Sequence, residues 1–301
     1  MQITRPRVVV TGANGYLGKV LLSKLIESVD AVLCLGQREP DYVTDRIQFC
    51  RVNLLHEIPE AALLAFQPTH LIHLAWIADH GVFWESPLNN QWVDATQKLV
   101  LTFGGAGGKH VTITGSCAEY TWNELPCDEA SSETRPSTLY GQSKLICLEQ
   151  TSKQCKALGM ELAWGRVFFP YGRCENPKRL VPQVFAALKS QNNLEVCGEL
   201  HRDFLFIDDA VSAILHLALS RLTGVYNISS GRAVELKQLV QVMASVLSVS
   251  SACITFKKLE LGTQPRLLLG LNQKLLATGW QETFDLRAGL GLVNQTLISG
   301  K

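Results

Sequence analysis

The chain has 301 residues, of which 47% are hydrophobic and 18% are charged, and its net charge is +1. This composition excludes a disordered chain and is typical of a globular protein with a substantial core. The near-zero net charge argues against a nucleic-acid partner. The nine cysteines form no Cys-x-x-Cys pair, so the sequence predicts no metal site. No secretory leader or membrane-spanning run is apparent, and we expect a cytoplasmic protein with no membrane partner.

The chain begins with an apolar strand, Arg7-Val-Val-Val10, that leads into the glycine-rich sequence TGANGYLG and then into a helix. A strand, a glycine-rich turn and a helix in this order form a cradle for the pyrophosphate of a dinucleotide, because the N–H groups at the helix N-terminus point at the phosphates. Gly12 permits the turn, Gly15 lets the backbone approach, and Gly18 allows close packing. The residues predicted to bind the cofactor here are Gly12, Asn14, Gly15, Tyr16, Leu17 and Gly18.

The second strand, Ala31-Val-Leu-Cys-Leu35, ends where the adenosine ribose of a dinucleotide is expected. An acidic residue at this place binds a 2′-hydroxyl, whereas an arginine accommodates a 2′-phosphate. The chain has Gly36-Gln37-Arg38 and no acid before Glu39. Arg38 therefore favours NADP(H) over NAD(H), with a solvated surface charge as the alternative interpretation.

Two further strands are predicted, at Ile47 to Val52 and at His70 to Trp76. His70 and His73 are three residues apart and so face opposite sides of a strand, which argues against a metal pair. Additional cofactor contacts are predicted at the ends of these strands, near the adenine and near the phosphate turn, at Asn53, Leu54, Leu74, Ala75 and Trp76.

A helix is predicted from Pro87 to about Phe103, and a fifth strand runs from His110 to Gly115, where Ser116 follows it. Pro136-Ser137 indicates the start of another helix, and Glu161 to Phe168 is a sixth strand. Strands alternating with helices in this way predict an α/β, Rossmann-type doubly wound parallel sheet.

After Phe169 the alternation is interrupted by prolines and glycines, and shorter helices and strands follow. We expect a smaller α/β C-terminal lobe that binds the substrate. The predicted dinucleotide-binding domain comprises 1–170 with about 202–230, and the substrate lobe comprises 171–201 and 231–301.

Three residues carry the predicted chemistry: Ser116 at a strand end, and Tyr140 with Lys144 on one helix. Positions i and i+4 share a helix face, so the phenol and the ammonium point the same way. A nearby cation favours the phenolate and lowers a tyrosine pKa from about 10 toward working pH. Such a tyrosine exchanges a proton with a carbinol oxygen while a nicotinamide exchanges a hydride with its carbon. An ordinary exposed helix face is the alternative.

Taken together, these motifs resemble those of the extended short-chain dehydrogenase/reductase family, and within it the nucleotide-sugar epimerase/dehydratase/ketoreductase group. The matching stretches are Thr11 to Gly18, His73-Leu-Ala75, Gly115-Ser116, Tyr140-x-x-x-Lys144 and Arg202-Asp203-Phe204. The resemblance covers Arg7 to about Leu290. It implies a nucleoside-diphosphate sugar as substrate, and a homodimer formed through the helices at about 89–103 and 137–156.

The resemblance also implies substrate-binding residues: Ser116, Cys117, Phe169, Val181, Arg202 and Arg266. Arg202 and Arg266 match arginines that contact the diphosphate, and Val181 matches a segment along the nucleobase. A structural pair of Arg202 with Asp203 or Asp208 is the alternative. Phe169 and Trp92 replace asparagines that are common in the family.

One departure concerns the reaction itself. Family 4,6-dehydratases carry Asp-Glu directly after the catalytic hydroxyl residue, whereas this chain has Cys117-Ala118, and Glu119 comes one position later. The leading hypothesis is therefore an NAD(P)-dependent oxidoreductase that reduces a 4-keto sugar nucleotide. A 4-epimerase with tightly held NAD is the alternative, a dehydratase ranks lower, and a non-catalytic dinucleotide sensor ranks lowest.

Overall fold

The computed structural model describes residues 5–260 and 264–299. The strands are β1 (Arg7–Thr11), β2 (Ala31–Gly36), β3 (Ile47–Arg51), β4 (His70–His73), β5 (His110–Ser116), β6 (Glu161–Val167), β7 (Phe169–Tyr171), β8 (Leu194–Cys197), β9 (His201–Arg202), β10 (Phe204–Phe206), β11 (Gly224–Ile228), β12 (Val234–Glu235), β13 (Ile254–Lys257) and β14 (Leu267–Leu268). The helices are α1 (Tyr16–Leu25), α2 (Glu60–Phe66), α3 (Leu88–Gly105), α4 (Leu139–Ala157), α5 (Leu180–Ser190), α6 (Ile207–Leu219), α7 (Leu236–Leu247), α8 (Gln273–Leu276) and α9 (Leu286–Ser299).

Seven strands form the central sheet in the order β11-β6-β5-β4-β1-β2-β3. β1 lies between β2 and β4 and pairs in parallel with both, so that Val10 is opposite Cys34 on one side and Ile72 on the other. The strand order reverses at this position, which is the point of a doubly wound sheet where ligands bind. The predicted Rossmann-type α/β fold is confirmed.

The core of this sheet consists of strand residues that are apolar on both faces, because helices flank the sheet. Val8, Val9 and Val10 are each completely buried, and Trp164 of β6 is the largest fully buried side chain. Val9 and Trp164 pack with apolar side chains of α3 and α4 in one continuous cluster. The strand ends that carry the motif residues are therefore held by a well-packed core.

The chain divides into two compact units. The first contains the described residues up to Thr121 together with 133–166 and 211–226, and the second contains 122–132, 167–210 and the described residues from Asn227 onward. The predicted lobe boundaries differ from this division, since 202–210 and 227–230 belong to the second unit.

Within the second unit, three small sheets connect segments that are distant in sequence: β10 with β7, β12 with β9 and β14, and β13 with β8. The strands of two or three residues were not predicted, because such short runs carry no period that sequence reasoning can detect. Val234 pairs with Arg202 in β12, and α7 begins after this strand, at Leu236.

Candidate active site

The glycine-rich turn after β1 has the shape predicted for it. Gly12 adopts φ +73, and the N–H of Gly15 donates to its carbonyl at 2.9 Å. A Cβ on Gly12 would lie 2.8 Å from the backbone nitrogen of Ala75, and one on Gly18 would lie 2.1 Å from the Gly12 oxygen. No side chain fits at either position. The turn therefore presents bare backbone at the start of α1, as a pyrophosphate cradle requires.

Asn14 connects this turn to the end of β2. Its Nδ2 donates to the carbonyls of Arg38 and Glu39 at 2.9 and 3.0 Å, while its buried Oδ1 has no hydrogen-bond partner within the described ranges. Asn53 accepts the N–H of Leu55 through Oδ1 at 3.2 Å, and the neighbouring Leu54 is buried. The backbone of Arg38 therefore lies next to the pyrophosphate cradle, whereas its side chain is exposed.

Beneath the turn, a buried histidine joins two threonines. The hydroxyl of Thr96 donates to the Trp92 carbonyl, so it accepts from His73 Nε2 at 3.0 Å. His73 Nδ1 then accepts from the Thr11 hydroxyl at 2.7 Å, which in turn accepts the N–H of Ala75 at 3.2 Å. Burial lowers the pKa of His73 to about 3. The imidazole is therefore neutral and holds β1, β4 and α3 in register.

Ser116 ends β5 and begins a single 3-10 turn, Cys117–Glu119. Its Oγ accepts the N–H of Ala118 at 3.2 Å. A hydroxyl that accepts at one lone pair keeps its proton for donation. The Ser116 hydroxyl can therefore donate a hydrogen bond to a ligand oxygen. Cys117, the other residue predicted here, is buried in the turn.

Glu119 closes the same turn and is completely buried. Its carboxylate accepts the backbone N–H of Ser116 at 2.8 Å, the indole N–H of Trp164 at 3.0 Å and the Arg166 Nε at 2.7 Å. A Cβ on Gly115 would lie 2.0 Å from the Trp164 Nε1. In the sequence, Glu119 comes one position after the place of the dehydratase acids. In the structure it supports Ser116. The serine and glutamate three positions apart are a capping-box pattern, which was the available signal.

The structure brings Tyr140 and Lys144 to the same strand end as Ser116. A Cβ on Gly141 would lie 2.2 Å from the Ala118 oxygen, so α4 begins in contact with the turn after Ser116. Lys144 is buried, and its Nζ donates to the Thr114 carbonyl of β5 at 2.8 Å. Burial lowers the pKa of Lys144 to about 8. A serine donor, a phenol and an ammonium at one strand end can act together on an oxygen of a ligand.

Aromatic rings surround the tyrosine and the lysine. The ring centroids of Phe83 and Trp84 lie 4.9 and 5.8 Å from that of Tyr140, both edge to face, and the Trp84 carbonyl accepts the Tyr140 N–H at 2.9 Å. The Lys144 Nζ lies 3.8 Å from the ring centroid of Trp76. Trp76 was predicted to contact the cofactor, which stays a prediction; in the structure its ring covers the Lys144 ammonium.

In the second unit, the structure brings together Phe169, Arg202 and Arg266. The Arg202 guanidinium lies 5.6 Å from the Phe169 ring centroid and donates to the Arg266 carbonyl at 3.2 Å. It also donates to the Pro265 carbonyl at 3.0 Å and to Gln264 Oε1 at 3.1 Å. Arg202 therefore holds the segment 264–266 in place.

The neighbouring Asp203 accepts the N–H groups of Ser230, Gly231 and Gly270 at 2.7 to 3.2 Å, and burial raises its pKa to about 6. Val181 lies in the first turn of α5, where it is buried.

The family model described as the NAD dependent epimerase/dehydratase family matches residues 8–229 of the chain. The chain belongs to this family. Its members form part of the extended short-chain dehydrogenase/reductase enzymes, as the motifs indicated.

Two curated relatives of this epimerase/dehydratase chain are a CDP-abequose synthase of Salmonella typhimurium and a dTDP-6-deoxy-L-talose 4-dehydrogenase (NAD(+)) of Aggregatibacter actinomycetemcomitans. The synthase is 29% identical over 96% of this chain and 98% of its own length. The dehydrogenase is 24% identical over 78% of this chain and 88% of its own length. A solved UDP-N-acetylglucosamine 4-epimerase of Methanobrevibacter ruminantium in complex with UDP-N-acetylmuramic acid has a TM-score of 0.88 at 20% identity and covers 99% of this chain and 100% of its own.

The residues of the cradle fit the dinucleotide that the family name implies. The side-chain-free backbone at Gly12 and Gly18 leaves room for phosphates, and the buried Oδ1 of Asn14 offers an unused acceptor. Among helices within 5–260 and 264–299, none is long and apolar enough to span a membrane.

Proposed function

We propose that the chain is an NAD(P)-dependent 4-ketoreductase that acts on a nucleoside-diphosphate hexose. A reduced dinucleotide, which the cradle of Gly12, Gly15 and Gly18 would hold, would supply the hydride that C4 of the keto sugar accepts. Tyr140 donates its phenolic proton to the carbonyl oxygen, so that a ketone becomes an alcohol and the phenolate regains a proton from solvent. The name of the dehydrogenase relative, which specifies the 4-position and NAD(+), supports oxidoreduction at C4.

The observation that carries the proposal is the hydrogen bonding of Ser116. Because its Oγ accepts the Ala118 N–H, its proton remains available for donation, and the oxygen of a ketone is a suitable acceptor. Lys144, held in contact with β5, provides a positive charge that favours the phenolate of Tyr140 after proton transfer. In this proposal Ser116 orients the oxygen, Tyr140 is the acid, and Lys144 also binds the nicotinamide ribose.

The surroundings of Glu119 argue against a dehydratase. Elimination of water needs a carboxyl group that exchanges a proton with the substrate. The Glu119 carboxylate instead accepts hydrogen bonds from Ser116, Trp164 and Arg166. An acid that is buried and paired with an arginine is a structural anion.

The test is replacement of Tyr140 by phenylalanine. We expect kcat for reduction of a 4-keto nucleotide sugar to fall about 10²- to 10⁴-fold, since the proton donor is lost. Affinity for the dinucleotide, measured by calorimetry, should stay within about twofold of the unchanged protein, because the hydroxyl is not part of the phosphate cradle. Turnover that survives in Tyr140→Phe would show that another group is the acid.

The alternative, a 4-epimerase, uses the same three residues but returns the hydride within one turnover. Gel filtration of the purified protein separates the two. An epimerase keeps its dinucleotide through the column, whereas a reductase loses it and consumes reduced cofactor with a 4-keto sugar nucleotide.

The proposed preference for NADP(H) over NAD(H) rests on Arg38. The family name and the dehydrogenase relative refer to NAD, so this preference needs its own measurement. In Arg38→Ala, kcat/KM with NADPH should fall about tenfold while that with NADH changes little, because only the 2′-phosphate carries the extra charge. Equal effects on both cofactors would mean that Arg38 is a surface charge.

The proposed dimer would form through α3 and α4. These helices are joined to each other by Gln97 and Gln154, and they expose Leu101 and Ile146. Light scattering of the protein and of Leu101→Glu tests the dimer. For the nucleotide sugar, we propose that Phe169, Val181 and Arg266 make contacts, with Arg202 placing the segment that carries Arg266. A cytoplasmic location remains a prediction.

A further inference from the structure

We propose that Trp76 is a positioning residue for Lys144: its indole face binds the ammonium, keeps it charged at neutral pH and directs it toward the Tyr140 side of the strand end. The inference rests on the proposed function only for its effect on the reaction rate. Its first measurement concerns the lysine itself and needs no substrate.

The contact between the two side chains is close. The Lys144 Nζ lies 3.8 Å from the ring centroid of Trp76, whereas it lies 6.0 Å from that of Tyr140. A cation within about 6 Å of an indole face is attracted by the negative face of the ring, and the attraction grows when water is excluded. Lys144 is 3% exposed, so water contributes little to its solvation. Among the residues that the structure describes, the carbonyl of Thr114 and the indole face of Trp76 solvate the ammonium at short range.

The indole is itself held in place. Its Nε1 donates to Asn89 Oδ1 at 2.8 Å, and its ring stacks on that of Trp92 with centroids 6.2 Å apart. Asn89 is fully buried and is oriented by donation from Nδ2 to the carbonyls of Phe83 and Ser86 at 2.7 and 2.9 Å. Because these bonds leave Oδ1 as the acceptor for the indole, the orientation of the ring is determined.

The loop before α3 also contacts Tyr140. Phe83 and Trp84 pack edge to face on the Tyr140 ring, and the Trp84 carbonyl accepts the Tyr140 N–H. The loop before α3 therefore contacts Tyr140 directly and reaches Lys144 through Asn89 and Trp76. A change in this loop would move the phenol and the ammonium together.

Other charged or titratable groups also face Lys144. Cys147 and Glu119 both raise the pKa of Lys144. The charge of Lys144 in turn contributes to the lowered pKa of His73. His73 is neutral because burial lowers its pKa to about 3. Tyr140 completes the set on the side of α4. Since none of these groups is altered by a substitution at Trp76, a shift in the titration of Lys144 is attributable to the ring.

The experiment compares Trp76→Phe with Trp76→Leu in the full-length protein labelled with ¹³C at the lysine ε-carbons. The Lys144 signal is assigned by its loss in Lys144→Arg, and its titration is followed by NMR without substrate. In Trp76→Leu the midpoint should fall by about 0.5 to 1.5 pH units, which is the cation–π energy converted at about 1.4 kcal/mol per unit. In Trp76→Phe, which keeps an aromatic face, the fall should be less than half as large.

Two further readouts separate this role from packing. Thermal unfolding of both variants shows whether the fold is kept, and only variants with a cooperative transition are compared. The alkaline limb of kcat should move with the Lys144 midpoint, while the KM for the sugar nucleotide stays within about twofold. Equal midpoints in the unchanged protein and both variants, or equal falls with leucine and phenylalanine, would overturn the inference. A shifted midpoint without any 4-keto sugar reduction would overturn the proposed function and leave this inference intact.

Discussion

The two ends of the candidate site are supported by different chemistry. Ser116 is held by a carboxylate that is itself held by an arginine and an indole N–H, so its support is polar and charge-balanced. The side chains of Tyr140 and Lys144 contact ring faces and edges, and Lys144 in addition donates to the Thr114 carbonyl. Hydrogen bonds determine the orientation of the groups they join. Ring contacts determine only the position of a side chain, and the lysine can still gain or lose its proton. Ser116 is therefore a hydrogen-bond donor held in a fixed place, whereas the charge of Lys144 changes with pH.

Glu119→Ala removes the polar support of Ser116, and we expect it to have the largest effect. Removing one partner of a buried ion pair leaves Arg166 uncompensated, which costs about 3–5 kcal/mol of unfolding free energy. Urea unfolding measures this loss. Glu119→Gln is the matched control, since an amide oxygen can still accept the Ser116 N–H. It should lose less stability, and equal losses would show that the charge of Glu119 is unimportant.

Ser116→Ala tests whether the polar support serves a donor. Loss of one donor to a developing oxyanion lowers kcat about 10²- to 10³-fold. The alanine variant should lose only about 0.5–2 kcal/mol of unfolding free energy, from the bond between its Oγ and the Ala118 N–H, because Glu119 bonds to the backbone of Ser116 and not to its hydroxyl. Steady-state kinetics with a 4-keto sugar nucleotide provide the measurement. A kcat reduced less than about threefold would contradict the role of the hydroxyl.

Lys144→Met should reveal the cost of burying a charge on the aromatic side. The folded-state pKa is about 8 against an ordinary value of 10.5. The unfolded chain therefore holds more protons than the folded one between these values, and stability rises with pH through that window. Below it, the charged lysine destabilises the fold, so Lys144→Met should be more stable at pH 7 on the order of 1–3 kcal/mol.

The stability advantage of Lys144→Met should shrink as the pH approaches 10, because the lysine of the unchanged protein is then neutral. Urea unfolding at pH 7 and at pH 10 provides the two measurements. A variant that is less stable at pH 7 would mean that the Thr114 and Trp76 contacts outweigh desolvation.

Trp84→Leu should have the smallest effect of the series. An edge-to-face ring pair contributes about 0.5–1.5 kcal/mol beyond its buried area, so kcat should fall about two- to tenfold through a less constrained Tyr140. Trp84 is 37% exposed, and the unfolding free energy should change by less than about 1 kcal/mol. Leu64→Ala, at an exposed position of α2, is a control for general effects on the chain. A loss of more than about 100-fold would give Trp84 a direct part in binding substrate.

Sequence reasoning reached the fold because the sheet strands carry uninterrupted apolar runs, such as Val8 to Val10, and because the turn at Gly12 has a fixed spacing. It predicted Ser116 at a strand end, and Tyr140 with Lys144 on one helix face from their i, i+4 spacing; the structure has Ser116 at the end of β5 and the other two residues on α4, while their catalytic roles stay a prediction. The direction of Glu119 was not predictable, since it depends on Trp164 and Arg166 two strand positions apart on β6. The contact between Trp76 and Lys144 was not predictable either, because the two residues are 68 positions apart in the sequence.

Gly115 gives the polar support an evolutionary consequence. A Cβ there would lie 2.0 Å from Trp164 and 2.3 Å from Glu119 Oε1, so even a methyl group is excluded while both side chains are present. Substitutions at these three positions should therefore be interdependent in a selection experiment. An alanine at Gly115 would be recovered only together with changes that move both the Glu119 and the Trp164 side chains away.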